Sequence, residues 1–102
     1  MSNIREPRAA LVKRLLEGDG KASPSERRAA FNNSGLSEPL CKLIDKVAMH
    51  ADTVTDEDIT AVQASGLSED QIFETMVCAA VGQATRQYET AFAALDIATE
   101  RK

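Results

Sequence analysis

Residues 69–100 read EDQIFETMVCAAVGQATRQYETAFAALDIATE, and this stretch decides the fold. Its apolar residues recur in steps of three and four, and Gly82 is the only helix breaker among them. Such spacing predicts one continuous helix of about seven turns or more. One narrow arc of this helix is expected to face the core, and it carries Phe73, Val77, Ala80 and Ala84.

Helix start and stop signals divide the preceding residues into four shorter helices. N-caps are expected at Ser23, Ser37, Thr55 and Ser68. Glycines after the last apolar positions mark helix ends, and no stretch alternates apolar and polar residues as a strand would. The four helices are expected to span about residues 7–17, 24–32, 38–51 and 56–65. We therefore predict an all-α fold of about five helices, a single domain over residues 1–102 with a long C-terminal helix.

The length and composition of the chain limit the number of domains and the kinds of partner that it can have. With 102 residues it is long enough for one small domain and one modest core. Aromatic residues make up only 4% of the sequence, which is little for a self-sufficient monomer, so a homo-oligomer is expected. A net charge of -4 argues against a nucleic-acid partner, because an acidic chain repels phosphate backbones.

The sequence also bears on location. No apolar run approaches the ~20 residues that a membrane span needs, so we expect no membrane partner. The first residues lack the continuous apolar segment of a signal peptide. A cytoplasmic location with reduced thiols at Cys41 and Cys78 is therefore expected. With a single histidine and no closely spaced cysteines, neither a metal nor a cofactor is expected.

Three side chains are candidates for catalysis: His50, Glu74 and Cys78. His50 is either an acid–base group or a cation that stabilises the last turn of its helix. Glu74 is either a half-buried general base or a solvated flank of the long helix. Cys78, one turn further along, is either a partner of Glu74 or a small packing residue.

The junction before the long helix resembles a known family. The residues are VTDEDI at 54–59, ASGLSEDQIFE at 64–74 and AAV at 79–81. This pattern is similar to that of the carboxymuconolactone decarboxylase and alkylhydroperoxidase-D-like family, over about residues 36–95. The resemblance implies an all-α fold and assembly into trimers or hexamers. Some members of that family decarboxylate a muconolactone, and others reduce peroxides through a CxxC pair with a histidine on the same helix.

The redox motif of that family is missing here, since neither Cys41 nor Cys78 belongs to a CxxC pair. We therefore expect a non-redox, oligomeric binding or accessory protein, with a small-molecule ligand or a catalytic paralogue as possible partners. The first alternative is a decarboxylase or lyase that uses His50 and Glu74 on a small carbonyl or carboxylate substrate. The second is a peroxidase with a single reactive cysteine at Cys78.

Overall fold

The computed structural model describes the backbone of residues 5–100 and the side chains of residues 9–99. Within that part of the chain it contains five α-helices and no strand, so the all-α prediction with a long C-terminal helix is confirmed. A short 3₁₀ turn, Ala51–Thr53, separates the third helix from the fourth. The helices are α1 (Arg5–Glu17), α2 (Pro24–Asn32), α3 (Leu40–Met49), α4 (Asp56–Ala64) and α5 (Glu69–Glu100).

Side-chain caps fix the start of three helices, as predicted at Ser23, Thr55 and Ser68. The cap of α5 is reciprocal. The backbone N–H of Gln71 donates to Ser68 Oγ at 3.2 Å, and the backbone N–H of Ser68 donates to Gln71 Oε1 at 2.9 Å. Two N–H groups that the helix itself cannot satisfy are thereby bonded, which sets the residue at which α5 begins.

The predicted cap at Ser37 is wrong. Helix α3 begins at Leu40, its N-cap position is Pro39, and no side chain caps it. The Ser37 carbonyl instead accepts the backbone N–H of Cys41 at 3.0 Å. Ser37 therefore belongs to a turn before the helix, two residues before the N-cap position at Pro39.

The core lies where α2 and α3 pack against the first half of α5. The closest approach is between α2 and α5, where a Cβ atom added to Gly82 would overlap the Phe31 backbone. Arg86, one turn later, donates from Nη1 to the Phe31 carbonyl at 2.7 Å. No aromatic ring is buried in the part that the structure describes. The buried apolar cluster consists of Leu16, Ala30, Leu40, Leu43, Ile44, Val62, Ile72, Cys78 and Ala79.

The predicted core face of α5 is wrong. Phe73 is 67% exposed, Ala80 and Ala84 are also exposed, and Val77 is only half-buried. We call the buried side of α5 its inner face, and it consists of Ile72, Thr75, Cys78, Ala79 and Gly82. The inner face is buried because Ala79 and Gly82 let the α2 backbone come close, which larger side chains would prevent.

The molecule is more extended than its length requires. Its radius of gyration is 15.6 Å and its axes measure 56 × 29 × 19 Å. A compact domain of this size has a radius of gyration near 13 Å. The extension comes from α5, because none of its described residues beyond Gly82 is buried. Among the described helices, none is both long and apolar enough to cross a membrane.

Candidate functional site

Glu74 holds the loop between α1 and α2 against α5. Its two carboxylate oxygens accept the backbone N–H groups of Lys21, at 2.9 Å, and Ala22, at 3.1 Å. Gly20 allows this approach, since a Cβ atom at that position would overlap the Glu74 carboxylate. Both acceptor oxygens are therefore engaged in joining two segments that are distant in sequence.

The pKa of Glu74 is lowered from its ordinary value of 4.5. Desolvation by burial acts in the raising direction, but it is outweighed by the hydrogen bonds from Lys21 and Ala22 and by the nearby charges of Arg27 and Lys21. A general base that works near neutral pH needs a raised pKa. The carboxylate is instead stabilised in its ionised form, as a structural acceptor would be.

Cys78 lies on the inner face of α5, one turn after Glu74, and it is completely buried. Desolvation by burial raises the pKa of its thiol, the Glu74 charge acts in the same direction, and the Arg27 charge partly opposes them. Because the thiolate is the reactive form, a buried thiol with a raised pKa is a poor nucleophile. This environment is typical of a packing residue.

The third member of this cluster is Arg27, which was not identified from the sequence as a site residue. It is only 5% exposed, and its Nη1 donates to the carbonyl of Leu15 at 2.9 Å, near the end of α1. Its charge acts on both Glu74 and Cys78. In the sequence, the pair Arg27-Arg28 is typical of a solvated basic surface. The composition does not reveal that one of the two adjacent arginines points inward.

His50 is not part of this cluster. Its side chain is exposed at the end of α3, and it is not among the groups that shift the pKa of Glu74 or Cys78. Its backbone N–H donates to the Lys46 carbonyl at 2.7 Å, and its own carbonyl accepts the Thr53 hydroxyl at 2.7 Å. The structure thus brings Glu74 and Cys78 together but not His50.

One cleft of the described structure lies elsewhere. It is a groove of about 630 Å³ between α1 and the second half of α5, and none of the three candidate residues lines it. Its walls include Val12 on α1, Phe31 on α2 and Phe92 on α5. A smaller cleft of about 450 Å³ lies between both copies of the repeated SGLSE sequence, at 34–38 and 65–69.

The most unusual surface of the chain is the outward side of α5. We call it the outer face, and it consists of Phe73, Val77, Ala80, Ala84, Gln87, Ala91, Ala94, Leu95 and Ala98. Between residues 71 and 99, the charged side chains of α5 all lie about 90° or more from the centre of this face, and they are Glu74, Arg86, Glu89 and Asp96. An exposed helix face normally carries charges, so an uncharged face over seven turns distinguishes α5 from an ordinary solvated helix.

No family model, curated protein or solved structure matches this chain.

Proposed function

We propose that this protein acts by association and not by catalysis, as a homo-oligomeric binding or accessory protein whose subunits meet through the outer face of α5. The observation that carries the proposal is the exposure of that face, with Phe73 67% and Leu95 47% exposed along an uncharged strip. Exposed apolar strips of this size are typical of interaction surfaces. The absence of buried aromatic rings in the described residues supports it, because a core this thin leaves burial to be gained by association.

The surroundings of Glu74 and Cys78 favour this proposal over an enzyme. Glu74 is occupied by two backbone N–H groups, and Cys78 has no solvent exposure. The bonds to Glu74 stabilise its ionised form, and the Cys78 thiol is out of contact with solvent, so neither group has the properties of an acid–base or nucleophilic catalyst. The hypothesis of a decarboxylase or lyase with His50 and Glu74, and that of a single-cysteine peroxidase, therefore have less support, and kinship with the carboxymuconolactone decarboxylase family stays a prediction.

Light scattering of two variants tests the proposal. Ala84→Glu places a charge at the middle of the outer face, and Thr60→Glu places one at an exposed position on α4 as a matched control. Wild type and Thr60→Glu should have a mass that is a whole-number multiple of 11.0 kDa, and Ala84→Glu should be monomeric. A wild-type protein that stays monomeric at high concentration would refute the proposal.

A further inference from the structure

Resting on the proposed function, we propose that the outer face of α5 binds the same face of a second copy with the two helices antiparallel, centred between Thr85 and Arg86. The outer face has the spacing of a two-stranded helical seam. Eight of its nine residues, all but Leu95, form two rows in which successive members are seven positions apart. One row is Val77, Ala84, Ala91 and Ala98; the other is Phe73, Ala80, Gln87 and Ala94.

The sizes of these side chains select the orientation. The large residues Phe73 and Val77 stand at the start of the strip, and its far end is mostly alanine. In an antiparallel pair, each residue faces the one equally distant from the centre on the other copy. Large side chains then meet small ones, in the pairs Phe73–Ala98, Val77–Ala94, Ala80–Ala91 and Ala84–Gln87 of the second copy.

A parallel pair would fit poorly. It would place Phe73 against Phe73 of the second copy and Ala84 against Ala84, so that the helices would be held apart at one end and drawn together in the middle. Even spacing along a helix pair needs similar summed side-chain volumes at each layer, and these volumes vary less in the antiparallel arrangement than in the parallel one.

The charges favour the same orientation. The first turn of α5 is acidic through Glu69 and Asp70. A parallel pair would bring both acidic turns together. In the antiparallel pair they are separated by about 48 Å along the helix axes, many times the roughly 8 Å over which charges act at physiological salt. The helix dipoles also oppose each other favourably when the helices are antiparallel.

The available area fits a second copy of this chain. The strip is about 39 Å long and about 10 Å wide, a flat projection of roughly 400 Å² per copy. The accessible surface of a curved helix exceeds its projection, so the contact is within about a factor of two of the ~800 Å² per partner that a stable interface buries. Such a contact has twofold symmetry, which is compatible with a dimer or a hexamer but excludes a trimer built on this face.

Cross-linking with a short bis-maleimide tests the orientation. Ala80→Cys and Ala91→Cys are each made in a Cys41→Ser background, where the remaining Cys78 is buried, and one of the two is isotopically labelled. Mixed together, they should give a cross-linked heterodimer with at least ten times the yield of either variant alone. In the antiparallel pair, position 80 lies about 16 Å along the axis from position 80 of the second copy, beyond the reach of the reagent.

Three results would overturn the inference. Efficient cross-linking of Ala80→Cys alone would indicate a parallel pair. In that case the proposed association would stand. Oligomers by light scattering that cross-link in neither sample would mean another register of the outer face if Ala84→Glu is monomeric. If Ala84→Glu stays oligomeric, another surface is used and the proposed association through this face is refuted too. A monomeric wild type would refute the proposed function as well. Circular dichroism shows whether each variant is folded, and Val77→Cys with Ala94→Cys provides a second pair with the same expected outcome.

Discussion

The inner and outer faces of α5 both lack charged side chains, yet only one of them is buried. The inner face carries Ile72 and four smaller residues, whereas the outer face carries alanines and a few larger apolar residues. They differ in what approaches them: the inner face meets the α2 backbone closely at Gly82, whereas the residues of the outer face are exposed, apart from the half-buried Val77. Apolar periodicity therefore identifies the uncharged faces of α5, but it does not say which of them packs against the rest of the chain.

The neighbours Ile72 and Phe73 offer the largest contrast between the two faces. Ile72 is 2% exposed and Phe73 is 67% exposed. Ile72→Ala leaves a cavity and should lower the free energy of unfolding by about 2–4 kcal/mol. Phe73→Ala in the dilute, monomeric protein should change it by less than about 0.5 kcal/mol. Urea unfolding at low protein concentration measures both, and equal losses would show that the two faces are not distinct.

Gly82→Ala should have the next largest effect. Replacing glycine inside a helix normally stabilises it by about 0.5–1 kcal/mol. Here the added methyl group would overlap the Phe31 backbone, so α2 must move away and the free energy of unfolding should fall by about 1–3 kcal/mol. Thermal unfolding compares it with Ala84→Ser on the outer face, which should be near neutral in the monomer. A stabilised Gly82→Ala protein would contradict the close packing of α2 on the inner face.

Glu74→Gln should have a smaller effect that depends on pH. Glutamine offers one acceptor oxygen where two N–H groups need one each, so a loss of about 1–2 kcal/mol is expected at pH 7. Because folding lowers the pKa of Glu74, its stabilising contribution is complete above the unfolded pKa of about 4.5 and is lost as the pH falls through the folded value.

Urea midpoints from pH 7 to pH 3 measure this difference, which should shrink as the solution becomes acidic. Glu89→Gln, an exposed carboxylate further along α5, serves as the control and should behave as wild type at every pH. A Glu74→Gln protein more stable than wild type would instead indicate a strained, functional carboxylate and would favour the enzyme hypothesis.

The sequence predicted the local features of the fold well. The caps at Ser23, Thr55 and Ser68 depend on neighbouring residues only, so they could be found without the structure. The position of the core on α5 could not, because the helix has two apolar strips and the choice depends on Gly82 meeting α2 across a long separation in sequence.

The candidate site shows the same limit. Glu74 and Cys78 are one turn apart on one helix, so their proximity was predictable. The loop N–H groups that bind Glu74 come from a segment 52 and 53 residues away. The inward direction of Arg27 depends on the Leu15 carbonyl of another helix, 12 residues away, and no local pattern encodes either contact.

The most direct test of the central claim is whether a second copy covers the outer face of α5. Ala84→Cys in the Cys41→Ser background places one reactive thiol on that face, and its rate of maleimide labelling is measured over about three orders of magnitude in protein concentration, because association follows mass action. We predict rapid labelling at low concentration and at least about tenfold protection at high concentration, with no change for Thr60→Cys on α4. A labelling rate at position 84 that stays high and independent of concentration would contradict the account.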